Sequence, residues 1–467
     1  MSTDRRRSTA NLAAGLLLAA LAALVGSCGS EAPAQRPNLL LVVFDTTRAD
    51  HLSTYGYGRE TSPTVDALGA RGLVCEQVWS QASLTPVSAS SFLTGAYPYR
   101  TGVRSLYMVG REELSSEVVT LAELLSDEGW STAGFVSAPP MGARYGLDRG
   151  FQTWNDDTRK GARARAAMGL GNEYQRRADD TADLALEWLD GAVGEDRPFA
   201  LMVHFFDSHD ATLVPPREFL APRVSFDLPG DLDQRGHLRE VRRDEDRIEL
   251  YDAEIAFQDA QLARLIAALD RAGRADDTLV CLIADHGEGL GQHDFWTHGL
   301  LWGEQLHVPW VMAGPGLPAG ARLAQRVRLV DLFPTVVELL GVDLPDGLAP
   351  DGRSILPLLN GTVPDEPAEV YAEAHHAPND GQGRDTRLYS LTAGKWKYVH
   401  RPDGENHELY DLEQDPGETR NLFTPDQPVA RALRAELERR GAVRGVEGST
   451  EHLDADTIEM LRELGYL

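Results

Sequence analysis

The sequence predicts an α/β fold: a large mixed, mostly parallel sheet flanked by helices, with a small antiparallel sheet and a helix at the C-terminal end. Three observations lead there. Two apolar runs of strand length, Asn38 to Phe44 and Thr278 to Ala284, each break at an aspartate, Asp45 and Asp285. Runs without polar alternation suit strands covered on both faces by helices, as in a parallel sheet. Between the two runs, helical and strand-like patterns alternate in the manner of β-α-β units. After Leu359 the texture changes to short strand-like segments separated by Gly, Asp and Pro.

Taken in order, the chain opens on an address. Arg5, Arg6 and Arg7 precede the apolar run Leu12 to Val25, which is short for a spanning helix and reads as a signal peptide. It ends Val25-Gly26-Ser27-Cys28, small residues before a lone cysteine, which resembles a bacterial lipoprotein processing site. Residues 1–27 are therefore expected to be removed, Cys28 to be acylated, and 28–36 to form a tether. The membrane is then a partner through the lipid anchor, on the periplasmic or extracellular face of the cell envelope. Ser62-Pro63-Thr64 starts a helix, Val118 to Gly129 has helical spacing, and Trp130 to Ser137 is a strand. Asp179 to Leu189 is helical, Phe199 to Phe206 a strand, and Glu249 to Leu269 a long amphipathic helix. With 467 residues, the chain exceeds the size of one hydrophobic core, which favours a catalytic α/β domain over 37–360 and a C-terminal α+β subdomain with a helical tail over 361–467. In the latter, Val370 to Ala372, Tyr389 to Leu391, Trp396 to His400 and His407 to Leu412 are strands, Val429 to Arg440 is a helix, and Glu451 to Leu467 a further helix.

Lys and Arg number 45 against 72 Asp and Glu, a formal charge of −27. Such a field repels phosphates and excludes nonspecific nucleic-acid binding as a function. An anionic ester substrate would need local compensation from a metal ion or a few arginines. Three cysteines cannot make a disulfide framework, and Cys75 and Cys281, inside apolar runs, read as small core residues.

The chemistry gathers where the strands end. Asp285-His286-Gly287-Glu288 follows one apolar strand, with His293 and His298 close behind, and Asp45 follows the other. Open α/β sheets bind ligands beyond the carboxyl ends of their strands. Two carboxylates and one imidazole there make a donor set for Zn²⁺, Mn²⁺ or Ca²⁺, among which spacing does not choose. Hydroxyls concentrate in Ser83-Leu84-Thr85-Pro86-Val87-Ser88-Ala89-Ser90-Ser91. This is a serine-rich helix start that would cap a helix and offer an anion site.

These residues carry a family resemblance. Pro37 to His51 (PNLLLVVFDTTRADH), Tyr55-Gly56-Tyr57, Ser62 to Asp66, Phe92 to Pro98, Tyr251 to Ile255, the loop Asp285 to Gly299, Asp331 to Thr335, and Leu409 to Leu412 with Asp415-Pro416 appear in order. In these the chain resembles the sulfatase and alkaline-phosphatase-like superfamily of metal-dependent hydrolases, over nearly its whole length after the leader. The resemblance implies that Asp45, Asp285 and His286 hold a divalent cation. It also implies that Thr85 is the catalytic nucleophile and that His209 and His298 hold ester oxygens or protonate the leaving group. Arg48 and His293 are candidate substrate-binding groups. Sulfatases proper convert a Cys or Ser in Cys/Ser-x-Pro-x-Arg to formylglycine; here Thr85 stands first, with Val87 and Ala89 in place of Pro and Arg. A secondary alcohol cannot become that aldehyde, and Thr46 follows Asp45 where sulfatases carry a second aspartate. Both departures favour cleavage of a phosphate mono- or diester through a threonine nucleophile. A sulfuric ester hydrolase, a phosphoethanolamine-type transferase, and an inactive surface-anchored binding protein are the alternatives.

Overall fold

An eight-stranded mixed sheet forms the middle layer of the molecule in a computed structural model that describes residues 36–106, 113–158, 174–209, 215–225, 244–362, 367–375, 387–402, 404 and 406–441. The expected leader, Cys28, most of the tether and the tail 451–467 lie outside these residues. The strands are β1 (Asn38–Phe44), β2 (Leu73–Trp79), β3 (Ser131–Val136), β4 (Thr153–Asn155), β5 (Phe199–Phe205), β6 (Thr278–Ile283), β7 (His307–Ala313) and β8 (Ala321–Arg328), in the order β4-β3-β5-β1-β6-β7-β2-β8. All neighbours pair in parallel except β7, which is antiparallel to both β6 and β2. Two reversals cancel. The carboxyl end of β2 therefore comes out on the same edge of the sheet as those of β1, β5 and β6, and this places the segment after β2 near both aspartates.

Strand β1 shows why its run is apolar throughout. Successive side chains point to opposite faces, and both faces are covered. Leu39, Leu41 and Val43 enter a core with α2 (Thr85–Thr94), α3 (Leu121–Asp127) and α6 (Leu332–Leu339), whereas Leu40, Val42 and Phe44 enter another with α1 (Pro63–Arg71), α4 (Ala178–Ala192) and α5 (Asp244–Ala272). Each such side chain, fully buried, contributes about 1.5–3 kcal/mol. Cys75 and Cys281 are buried free thiols in β2 and β6, as the composition suggested. Helix α3 begins later than its periodicity implied. Thr120 and Glu123 form a capping box there, so Val118 and Val119 precede the helix.

The second sheet is antiparallel, in the order β12-β11-β10-β9, from β9 (Val370–Ala374), β10 (Leu388–Ala393), β11 (Trp396–His400) and β12 (Glu408–Asp411). Helix α7 (Pro428–Arg439) lays Ala430, Leu433 and Leu437 against it, together with Tyr97 and Val330 from the large-sheet part. A buried ion pair, Arg104 to Glu373 at 2.7 Å, and a bridge between Ala82 and Glu373 fasten the small sheet close to the Thr85 segment. Among the described residues no helix is long and apolar enough to cross a membrane.

Candidate active site

Asp45 leaves β1, and Asp285 and His286 leave β6, at neighbouring positions because these two strands pair directly. One ligand atom from each of the three lies within 4.8 Å of the other two, and all three residues are fully buried. Their hydrogen bonds leave one oxygen of each carboxylate without such a bond among the described residues, and Asp285 Oδ2 lies 3.4 Å from His286 Nε2. Asp285 Oδ1 accepts from the backbone N–H of Thr46 (3.1 Å) and of His286 (2.8 Å), while Oδ2 has no hydrogen-bond partner among the described residues. Asp45 Oδ2 faces His204 Nε2 at 2.8 Å and the Thr85 hydroxyl at 3.3 Å, while Oδ1 has no hydrogen-bond partner among the described residues. His286 Nδ1 lies 3.0 Å from the Gly287 carbonyl, which can only accept, so Nδ1 carries the proton and Nε2 presents a lone pair.

Two carboxylates, each with one oxygen that takes no hydrogen bond among the described residues, and an imidazole lone pair gathered within 4.8 Å fit a divalent cation. Buried polar atoms otherwise find partners, and two buried carboxylates repel unless a cation lies between them. Burial, together with the nearby Asp285 charge, holds the Asp45 carboxyl well above the usual carboxylate range. The loop is shaped for this. A Cβ on Gly287 would meet the Glu304 carbonyl oxygen at 2.1 Å, so only glycine permits the turn after His286. Thr46 adopts φ of +50°, unusual for a β-branched residue, and so turns its N–H to Asp285; Tyr251 holds its carbonyl at 2.7 Å. The Thr46 hydroxyl, where a second aspartate was absent from the sequence pattern, is buried with no hydrogen-bond partner among the described residues.

Thr85 is the first residue of α2 and is buried. Its Oγ1 is 3.3 Å from both Asp45 Oδ2 and His286 Nε2. The serine-rich start differs from the capping expected of it, because the residue before the helix is Leu84 and no side chain caps it. Instead, Ser88 and Ser80 donate to the Asp285 carbonyl at 2.7 and 2.6 Å, tying α2 to the metal loop.

His209 and His298 complete the group. The His298 ring lies 4.6 Å from that of His286 and 4.7 Å from that of His209, which stacks on Phe206 at 4.0 Å. Glu288 Oε2 is 3.1 Å from His298 Nδ1 and orients that ring. Burial keeps His298 down at about 4 and His209 well below its ordinary value. The structure thus brings together Asp45, Thr85, Asp285, His286, His209 and His298.

The other two candidate residues are engaged elsewhere. The Arg48 guanidinium, buried, is held by Asp50 (2.8 and 2.7 Å), the Glu288 carbonyl (3.2 Å) and Gln292 (3.0 Å). It ties the loop after β1 to the metal loop. His293 joins that loop to the small-sheet region. Its Nδ1 is 2.9 Å from Glu304 Oε1, its Nε2 is 3.2 Å from the Glu418 carbonyl, and its ring stacks on Trp302 at 4.1 Å. Both partners accept, so the site favours a proton on each ring nitrogen. Burial pulls its pKa down, but the Glu304 hydrogen bond outweighs it and the net shift is upward. A pKa raised on folding stabilises fully below the unfolded value of about 6.5, and the gain is lost as pH rises through the folded value. The thermal-stability gap between wild type and His293→Gln is therefore expected to be larger near pH 6 than near pH 9; equal gaps would remove the charge from the account.

His204 in β5 is the residue that sequence reasoning passed over. It sits in an otherwise apolar strand, beside Val43 of β1. A lone histidine within a fully buried strand was the available signal. Burial pushes its imidazole down to about 4.

Comparison with known proteins follows the same lines. The Sulfatase family model matches residues 37–342, and the model described as N-sulphoglucosamine sulphohydrolase, C-terminal, matches residues 291–442. A choline-sulfatase of Rhizobium meliloti (strain 1021) is 28% identical over 454 residues, covering 85% of this chain and 84% of that protein. A Delta 4,5-hexuronate-2-O-sulfatase of Bacteroides thetaiotaomicron is 26% identical over 438 residues, covering 85% and 86%. The structure of a phosphonate monoester hydrolase of Agrobacterium radiobacter is similar with a TM-score of 0.68 and 25% identity, over 88% of this chain and 95% of that one. A protein solved with its substrate D-glucosamine-2-N,6-O-disulfate shares the fold at a TM-score of 0.70 and 19% identity, over 87% of this chain and 98% of that one.

Proposed function

The chain belongs to the sulfatase family of ester hydrolases, and from that premise we propose that it cleaves a phosphate mono- or diester, with Thr85 as the covalent nucleophile. The observation that carries the reading is the Thr85 hydroxyl, 3.3 Å from both Asp45 Oδ2 and His286 Nε2, two of the proposed cation ligands. A threonine in that place cannot mature to formylglycine but can form and release a phosphoester. The similarity to a phosphonate monoester hydrolase supports phosphorus chemistry on this scaffold.

A divalent cation held by Asp45, Asp285 and His286 would lower the hydroxyl pKa and offset charge on the ester oxygens. Thr85 Oγ attacks phosphorus in line, forming the Oγ–P bond as the P–O bond to the leaving alcohol breaks. The hydroxyl proton passes to Asp45 Oδ2, 3.3 Å from Oγ1, as the bond to phosphorus forms. His209 and His298 stand where they can hold non-bridging oxygens, with Glu288 Oε2 fixing the His298 ring through Nδ1 at 3.1 Å, and the leaving oxygen takes its proton from water. Water then attacks the phosphothreonine and restores the hydroxyl. The deciding assay offers phosphate mono- and diesters, phosphonates and sulfate esters to metal-reconstituted protein. Turnover of phosphorus esters at least roughly 10²-fold above sulfate esters is expected. The reverse ranking would favour the sulfuric ester reading, to which the choline-sulfatase relative belongs by name.

The same reading includes a lipid anchor at Cys28 on the outer side of a bacterial membrane. Cys28→Ala is expected to release the protein from the membrane fraction or to block processing; an unchanged processed mass and membrane partition would sink it.

A further inference from the structure

We propose that His204 is a positioning residue for the cation centre: its Nε2–H fixes Asp45 Oδ2, so that Asp45 presents Oδ1 to the ion. The proposal rests on Asp45, Asp285 and His286 being the cation ligands.

The placement comes from the sheet. β5 pairs with β1 with His204 beside Val43, and the Asp45 N–H donates to the Phe205 carbonyl at 2.9 Å. The strand neighbour therefore delivers a side chain to the carboxylate that leaves β1. His204 is completely buried, and its Nε2 is 2.8 Å from Asp45 Oδ2. Its other nitrogen fixes the tautomer. The Ser137 N–H points at Nδ1 at 3.4 Å, so Nδ1 accepts and Nε2 carries the proton. Ser137 is itself held from two sides. Its hydroxyl pairs with that of Thr181 at 2.7 Å, and its carbonyl accepts from the Arg176 N–H at 2.8 Å. The Arg176 guanidinium, also buried, bonds the side-chain and backbone oxygens of Asn155 at 2.7 and 3.0 Å and the Val136 carbonyl. A chain of hydrogen bonds thus runs from the end of β3 to one oxygen of a cation ligand.

The direction of these bonds decides the role. His204 already carries a proton on the nitrogen that faces Asp45, and the nitrogen that could take another faces Ser137, away from the site. It cannot serve as the base for the Thr85 hydroxyl. What it can do is stop the Asp45 carboxylate from rotating, because Oδ2 is engaged by His204 and Thr85 while Oδ1 is left without a partner. Outer partners of this kind are worth roughly 10–100-fold in metal affinity.

The test titrates the metal-free full chain with Mn²⁺ by calorimetry. His204→Leu, apolar and of comparable bulk, is expected to weaken Mn²⁺ binding by roughly 10–100-fold. His204→Gln, whose amide N–H can donate to Asp45 from nearly the same place, is expected to stay within about 3-fold of wild type. In turnover, the leucine variant should need more Mn²⁺ while recovering much of kcat at saturation. A packing role would not separate glutamine from leucine in this way. Should His204→Leu not fold, His204→Asn, whose shorter amide falls short of Oδ2, takes its place. A folded leucine or asparagine variant with wild-type Mn²⁺ affinity overturns the proposal. Wild-type protein that binds no Mn²⁺ overturns both it and the reading of the cation site, and neither outcome depends on which ester is cleaved.

Discussion

Thr85→Ala is expected to bind Mn²⁺ within a few-fold of wild type and to lose at least roughly 10³-fold in turnover, the scale on which removing a group that acts in the transition state is felt. The asymmetry follows from the contacts. Among the described residues the hydroxyl makes two long interactions, both 3.3 Å, and caps nothing, so its loss costs the fold little. Thr85→Ser keeps measurable activity, because a primary alcohol attacks from nearly the same place. Thr85→Cys gains no sulfatase activity, since Val87 and Ala89 stand where the maturation motif needs Pro and Arg. Mass spectrometry of wild-type protein quenched during turnover of a phosphate ester should find one added phosphoryl group on the peptide containing Thr85. Full activity of Thr85→Ala with an unmodified Thr85 peptide would remove the covalent mechanism. No turnover of any ester by metal-loaded wild type would shift the weight to a surface-anchored binding protein.

Much of this site was legible because the sheet writes it along the chain. β1 and β6 are central, buried on both faces, and so appear as unbroken apolar runs; the aspartates that end them stand out for the same reason. β2 and β8 gave no such signal. β2 carries Glu76 and Gln77 at an irregularity in its register, and β8 is an edge strand whose apolar residues are broken by Arg322, Gln325, Arg326 and Arg328. Without them, the reversal through β7 that returns Thr85 to the aspartates could not be read from pattern, and the position of Thr85 rested on family resemblance. His204 was hidden because its partner is a lateral neighbour 159 residues away, a relation that no local periodicity records. Arg48 shows the opposite hazard. It is three residues from Asp45 in the chain, but Asp50 takes its guanidinium in two hydrogen bonds.

Asp285→Asn isolates what the cation does for the protein, more cleanly than Asp285→Ala. The amide oxygen can still accept from the Thr46 and His286 N–H groups that now bond Oδ1, whereas alanine would orphan both. At the other position the amide offers N–H where the ion requires a donor of electrons. Even a single pair of unit charges at 4 Å is worth about 4 kcal/mol at an effective dielectric constant of about 20, so a buried carboxylate facing a divalent ion should matter by at least roughly 10³-fold in affinity. Turnover is expected to fall with it. Stability should move the other way in the metal-free state. Burial and the Asp285 charge push the Asp45 carboxyl upward, and removing that charge relieves the repulsion, so metal-free Asp285→Asn should melt no lower than metal-free wild type. Adding Mn²⁺ at about 100 times its Kd should then stabilise wild type by about 2.7 kcal/mol and leave the variant unmoved. A variant that retains full metal stoichiometry by elemental analysis and shifts with Mn²⁺ as wild type does would show that Asp285 is not a ligand. The two orphaned oxygens on Asp45 and Asp285 would then need another partner to explain their burial.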